Sequence, residues 1–133
     1  MTGMQTASPP APPSARAWHS RVTLPPHPGA ADAFDAAIEA LIHDFGAEEI
    51  WVYGSCAHGH PTRHSDVDFL VIRPTRPDCP RPGMAARLCL SSLPHFLPHD
   101  VLVLTPAQWA EHRRHPFGLY KEVLNLGIRI YAR

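Results

Sequence analysis

Residues 66–72 restrict the folds open to this chain more than any other segment. Their sequence, DVDFLVI, is apolar at every position after Asp68. A short apolar run with β-branched residues is typical of a strand that is covered on both of its faces. The segment therefore predicts a central strand in a sheet that is flanked by helices.

Further helices and strands are predicted on both sides of this strand. Apolar residues recur at helical spacing from residue 30 onward, and Gly46 is placed to end that helix in a left-handed conformation. Strands are predicted at 49–53, 100–104 and 128–131, and a weaker helix at 83–93. A further helix runs from the Thr105 cap to about Arg114. Pro116 opens a last helix, which Gly127 ends, and one face of it carries Phe117, Tyr120, Val123 and Leu124. Their order indicates an α/β (α+β) fold, a small mixed sheet flanked by helices.

The composition describes a single folded domain. The chain has 133 residues, of which 44% are hydrophobic, and its 12 basic residues balance 12 acidic ones. This balance argues against strong binding to duplex nucleic acid, which needs a basic surface. No apolar run approaches the ~20 residues of a membrane span.

Cysteine usage predicts a reducing location. Cys56, Cys79 and Cys89 are odd in number and show no C-x-x-C spacing. This pattern fits neither a disulfide framework nor a zinc knuckle. We therefore expect a cytoplasmic protein.

Prolines divide the chain into a tail and a domain. Seven of the 16 prolines lie in residues 1–28, and no acidic residue precedes Asp32. We therefore predict a disordered Pro-rich tail at 1–29 and a folded domain at 30–133. An organelle-targeting role for the acid-free tail is the alternative, although its prolines would interrupt an amphipathic helix.

Two acidic residues within an apolar strand indicate a functional site. Residues i and i+2 of a strand project from the same face about 6.5 Å apart, so Asp66 and Asp68 present paired carboxylates. Like charges this close repel each other unless a cation neutralises them, and carboxylate oxygens favour magnesium or manganese. Asp100 begins the third strand, and its carboxylate can join the pair if that strand lies beside the second. Three carboxylates could then hold two metal ions for phosphoryl chemistry.

A glycine–serine turn offers the complementary contacts to phosphate. Gly54 allows the backbone to approach an anion closely, and Ser55 supplies a hydroxyl and the first amides of the next turn. The chain lacks the G-x-x-x-x-G-K-[ST] motif, and Lys121 is its only lysine. A P-loop NTPase is therefore excluded.

Other conspicuous residues receive structural interpretations. His58, His60 and His64 cluster in sequence, but Pro61 interrupts any helix between the last two, so a solvated loop is favoured over a metal site. Trp51 and Trp109 are interpreted as packing residues, and Cys56 as a filler rather than a nucleophile. The sequence shows no internal repeat.

The motif region resembles a known family. Gly54-Ser55, ten intervening residues and then Asp66-x-Asp68 form the signature of the DNA polymerase β-like nucleotidyltransferase superfamily. The stretch is most similar to its minimal nucleotidyltransferase (MNT) members, with G-S-x-A-x-G followed by S-D-x-D. The resemblance spans roughly residues 31–133.

This resemblance implies specific roles. Asp66 and Asp68 would be the metal-binding and catalytic pair, Asp100 the third carboxylate, and Gly54 and Ser55 the triphosphate contacts. The cofactor would be Mg²⁺ or Mn²⁺, and ATP the donor substrate. The family usually has arginine where this chain has His58, which changes a cationic contact.

The resemblance also suggests a partner. MNT members often act as antitoxins to a HEPN-type helical ribonuclease toxin, in which they adenylylate a tyrosine. We therefore expect a magnesium-dependent transferase that moves AMP from ATP to a hydroxyl on a HEPN-type protein. The alternatives are a catalytically weak binding module that neutralises its partner by contact, and a small-molecule transferase that acts on an aminoglycoside-like hydroxyl.

Overall fold

The computed structural model describes residues 17–133, and these form one sheet with helices on both faces. The strands are β1 (Glu49–Tyr53), β2 (Val67–Ile72), β3 (His99–Leu104) and β4 (Ile128–Ala132). The helices are α1 (Ala30–His43), α2 (Ser55–His58), α3 (Pro82–Ser91), α4 (Pro106–Arg114) and α5 (Leu119–Leu126), and a 3-10 helix at Trp18–Arg21 precedes them. The predicted α+β fold is confirmed.

The strand order is β3-β2-β1-β4, so β2 lies inside the sheet as predicted. It pairs antiparallel with β1 and parallel with β3, while β1 also pairs antiparallel with β4. The parallel pair needs a crossover, and α3 provides it on the way from β2 to β3. The N-terminal ends of β2 and β3 therefore lie at the same end of the sheet.

One face of the sheet packs against α1 and α3. The alternating residues Val67, Phe69 and Val71 of β2 point into this core, and Phe34 of α1 stacks on Phe69 with ring centroids 5.8 Å apart. Gly46, at φ +85°, ends the α1 region in the left-handed conformation that its position predicts.

The other face packs against α4 and α5. Leu70 and Ile72 of β2 lie in this second core with Trp51, Trp109 and Val123. Trp51 meets Trp109 edge to face at 5.7 Å, which confirms that both are packing residues. Thr105 and Gln108 form a reciprocal capping box that fixes the start of α4.

The structure corrects the predicted start of α5. The helix begins at Leu119 rather than at Pro116, because Gly118 at φ +55° turns the chain just before it. Phe117 consequently lies outside the helix and is 84% exposed, so it does not share the apolar face as predicted.

The structure also corrects the predicted boundary of the tail. Residues 1–16 lie outside the described residues, but the segment from residue 17 packs on the domain. Trp18, Val22 and Leu24 contact the first core, and Pro25 is fully buried. The Trp18 indole donates a hydrogen bond to Glu39 at 2.9 Å, which ties the segment to α1. Residues between 17 and 29 therefore pack with the domain that was predicted to begin at residue 30.

Within residues 17–133, no helix is both long enough and apolar enough to cross a membrane. All three cysteines are free thiols.

Candidate active site

Three polar side chains form a row across one end of the sheet. Asp68 on β2 is the register partner of Tyr53 on β1 and of Asp100 on β3. Directly opposed residues project from the same face of a sheet, and neighbouring strands lie about 4.8 Å apart. The expected juxtaposition of Asp68 and Asp100 is therefore confirmed, and it follows from the parallel pairing of their strands.

Asp66 lies immediately before β2, at the same end. The amide of Val67, the next residue, donates to the Pro98 carbonyl at 2.9 Å. The chain beside Asp66 is therefore hydrogen-bonded to the segment that leads into β3. The carbonyl of Asp66 accepts a hydrogen bond from the Cys56 thiol at 3.8 Å. This contact joins the first acidic residue to the short helix that follows Gly54.

Gly54 occupies a position that only glycine fills well. Its φ of +74° and ψ of −155° lie in a region that L-residues with side chains avoid. A Cβ atom at this position would also overlap Oδ2 of Asp68. The turn and the carboxylate therefore lie in direct contact, and a side chain at residue 54 would separate them.

Ser55 begins α2, and the Gly54 carbonyl accepts the amides of Ala57 and His58 at 3.0 Å each. The amides of the first helical residues have no acceptor within the helix itself. Ser55 is partly buried. The turn thus brings N–H donors and a hydroxyl to the neighbourhood of Asp68.

The carboxylates at this end repel one another. Burial, followed by the charges of Asp100, Asp66 and Glu122, raises the pKa of Asp68 to about 6. Bound cations relieve repulsion of this kind, and an all-oxygen set suits a hard divalent ion. The residue types and their mutual repulsion therefore fit Mg²⁺ or Mn²⁺.

The side chains do not converge into a finished metal site. Among residues 17–133, no three His, Cys, Asp or Glu side chains come close enough together to hold a metal ion as they stand. His58, His60 and His64 are exposed; His58 is the last residue of α2, whereas His60 and His64 lie in the loop that follows. Side-chain rotation by the aspartates would be needed to bind an ion.

Glu122 is a further acidic residue of the site that the sequence did not indicate. It lies in the first turn of α5, and its charge contributes to the raised pKa of both Asp68 and Tyr53. Its Oε2 lies 3.8 Å from Nε2 of His58, so the end of α2 contacts α5 here. His58 therefore stands beside a carboxylate of the site.

The neutral groups around the aspartates are held in their protonated forms. Burial, followed by the charges of Asp68, Asp100 and Glu122, raises the pKa of Tyr53 to about 12. Burial and the charge of Asp68 raise the pKa of the Cys56 thiol to about 11. A thiol with this pKa is a poor nucleophile, which agrees with the interpretation of Cys56 as a filler.

Comparison with known proteins gives one family match. The model of the nucleotidyltransferase domain family matches residues 35–80, from α1 to the loop after β2. The matched segment contains Gly54, Ser55, Asp66 and Asp68, whereas Asp100 lies beyond it. No curated protein sequence matches the chain.

Among solved structures, a candidate nucleotidyltransferase from Sulfolobus solfataricus is similar to the chain. The two are 17% identical with a TM-score of 0.44, over 76% of this chain and 87% of that one. The family match over the motif segment is the more specific finding, since it covers both halves of the Gly-Ser and Asp-x-Asp signature. The segment of residues 35–80 is thus similar to the nucleotidyltransferase domain family.

Proposed function

We propose that this protein is a magnesium-dependent nucleotidyltransferase that moves AMP from ATP to a hydroxyl on a partner protein. The observation that carries the proposal is the meeting of Asp68 and Asp100 on adjacent parallel strands, beside the turn at Gly54. No structural need explains why a sheet would align two acidic residues and place a third at the same end. Phosphoryl transfer, in contrast, requires such a set of carboxylates.

The residues of the site form two groups, one for the metal ion and one for the triphosphate. Asp66, Asp68 and Asp100 would bind the metal ion, which supplies positive charge to the phosphates and to the attacking oxygen. Gly54 lets the backbone approach the triphosphate, and Ser55 together with the first amides of α2 donates hydrogen bonds to its oxygens. The contact between Gly54 and the Asp68 carboxylate holds these two halves together.

Tyr53 fits a positioning role within this site. Its phenol stays protonated because its pKa is about 12, so it can donate a hydrogen bond to a carboxylate or a phosphate. It lies on β1 directly opposite Asp68. We therefore assign it to orientation rather than to proton transfer.

The resemblance to MNT members supports the choice of partner. We propose a HEPN-type toxin as the acceptor, with the chain as its antitoxin and a tyrosine as the modified residue. The protein would act in the cytoplasm, in agreement with its three free thiols.

The test is an incubation of purified protein with radiolabelled ATP and magnesium, with and without a HEPN-type partner. Wild type is compared with the Asp66→Asn/Asp68→Asn double variant. A matched control is Asp78→Asn, since Asp78 is an exposed acidic residue that pairs with Arg76 away from the site. Label should reach the partner with wild type and the control, and not with the double variant. Equal labelling by the double variant would refute the proposed roles of the aspartates.

A second function is favoured by one observation. His58 stands where the family usually has arginine and lies beside Glu122, so a cationic contact to the nucleotide is weakened. The protein would then neutralise its partner by binding alone. In that case, the double variant would still protect cells from the partner, and no label would be transferred by wild type.

A further inference from the structure

The segment before α1 is tied to the domain at several points. His19 forms two hydrogen bonds with Asp35 of α1: its amide donates to Oδ1 at 2.9 Å, and its Nδ1 lies 2.7 Å from Oδ2. The Arg21 guanidinium donates to the Ile130 carbonyl of β4 at 3.2 Å. We call residues 18–25 the N-terminal strap, because they run from α1 past β4 and are held at both.

The strap reaches the short helix α2. The Thr23 amide donates a hydrogen bond to the Cys56 carbonyl at 3.0 Å. The last carbonyls of a helix have no donor within the helix, and Thr23 supplies one. Its Oγ1 also lies 3.9 Å from the point where a Cβ of Gly59 would stand. Within residues 17–133, this is the one main-chain hydrogen bond that joins Ser55–His58 to a distant part of the chain.

Few other contacts hold α2 in place. Cys56 is its one buried residue, and the Cys56 thiol donates to the Asp66 carbonyl at 3.8 Å. On the side of α5, Nε2 of His58 lies 3.8 Å from Oε2 of Glu122. Cys56 therefore contacts the strap through its carbonyl and the first aspartate of the site through its side chain.

Prolines restrict the chain between the strap and α1. Pro25 is fully buried, and Pro26 and Pro28 follow it. Proline fixes φ, so this stretch has few alternative conformations. Because the strap is anchored on α1 before Thr23 and stiffened after it, α2 can shift only if the bond from Thr23 to its carbonyl is broken.

We propose that Thr23 is a positioning residue for nucleotide binding, an inference that rests on the proposed function. Through the Cys56 carbonyl, it holds the Gly54–Ser55 turn beside Asp66 and Asp68. The donors of the turn and the carboxylates then meet the triphosphate and its metal ion together. When the bond is lost, α2 moves relative to the carboxylates, and the affinity for ATP falls.

The test measures the Kd of α,β-methylene-ATP with magnesium by isothermal titration calorimetry, which needs no acceptor. Thr23→Pro removes the amide donor and should raise this Kd about fivefold, as expected for the loss of one hydrogen bond. The change suits the local backbone, because Thr23 is exposed and Val22, at φ −129° and ψ 167°, already has the conformation that precedes proline. Thr23→Ala keeps the amide and should bind as wild type does. An unchanged Kd in Thr23→Pro, or an equal rise in Thr23→Ala, would overturn the proposal.

A second variant loosens the strap at a distance from α2. Asp35→Ala removes both hydrogen bonds to His19 and should raise the Kd of the analogue about twofold or more. Leu104→Ala is the matched control for lost stability, since Leu104 lies in the second core at the end of β3 opposite to Asp100. It should lower Tm and leave the Kd unchanged. Wild-type affinity in Asp35→Ala, or a raised Kd in Leu104→Ala, would contradict a specific role of the strap.

Amide hydrogen exchange separates this proposal from the proposed function. The amides of Gly59 and His60 both donate to the Ser55 carbonyl, at 3.0 and 3.1 Å. In the nucleotide-free protein, they should exchange about fivefold faster in Thr23→Pro than in wild type, because α2 opens more readily. Unchanged exchange would reject the role of Thr23 and leave the proposed function untouched. If wild type does not bind the analogue, the proposed function is wrong, and the role of Thr23 in affinity is rejected with it.

Discussion

Replacement of Asp68 by asparagine should stabilise the metal-free protein at neutral and alkaline pH. The folded state raises the pKa of this carboxyl from 3.8 to about 6, because burial and three neighbouring acidic residues oppose its ionisation. A raised carboxyl pKa means that the folded state binds its proton more tightly than the unfolded state does. Stability is therefore lost as the pH rises from about 3.8 to about 6, and the loss is complete above that range.

The size of the change in the free energy of unfolding follows from the pKa shift of Asp68. A difference of about two pKa units corresponds to about 3 kcal/mol at about 1.4 kcal/mol per unit. Asp68 is partly exposed, so solvent screening reduces this to about 1–2 kcal/mol. For a domain of this size, such a change raises Tm by about 4–8 °C.

The assay is thermal and urea unfolding of wild type and Asp68→Asn in EDTA, at pH values from 3.5 to 8 that span the range of about 3.8 to about 6. The two proteins should be equally stable at the acid end, and the variant more stable at the alkaline end. Asp78→Asn is the control, since Arg76 lowers the pKa of Asp78 and no repulsion is relieved there. A variant that is less stable than wild type at pH 8 would refute the reasoning. Magnesium should then stabilise wild type alone, because only wild type keeps the full carboxylate set.

Three further substitutions test other parts of the structure. Gly54→Ala should lower the free energy of unfolding by about 2 kcal/mol or more in urea melts, because residue 54 has a positive φ and a Cβ there would overlap Asp68. Unchanged stability would contradict the described turn. Trp18→Ala should cost about 2 kcal/mol if the N-terminal segment packs on α1, whereas a detached tail would give no change. Glu122→Gln should lower the pKa of Asp68 in an NMR titration of the metal-free protein, and an unmoved pKa would show that the two side chains do not interact.

The sequence predicted the two strands that carry Asp68 and Asp100, but it left open whether these strands are neighbours. The apolar run after Asp68 identified an inner strand, and the proline before Asp100 identified the start of another. Their pairing as parallel neighbours then brought the two acidic residues together. Alternation along a strand can be read from the chain, whereas the parallel pairing and the register of β2 with β3 are known only from the structure.

Glu122 could not be found in the same way. Its position depends on where α5 starts and on how that helix lies over β1. Gly118 moves the start to Leu119, which changes the face that each helical residue presents. No local pattern distinguishes a helix residue that reaches the site from one that faces solvent.

The N-terminal segment shows a different reason for error. Its prolines favoured disorder, but Trp18, Val22 and Leu24 are apolar residues within it, and they were a usable signal of packing. The burial of Arg73 could not be predicted from the sequence, because an arginine after a strand normally lies at the surface.

The alternation of β2 has a consequence for insertions and deletions. Phe69 faces the core beneath α1, while Asp68 and Leu70 belong to the opposite face. Loss of one residue within the strand would exchange these two sets, placing a carboxylate in the core and a phenyl ring at the site. A length change in the exposed loop of residues 59–64 would leave both faces as they are. Homologues should therefore vary in length before β2 and never within it.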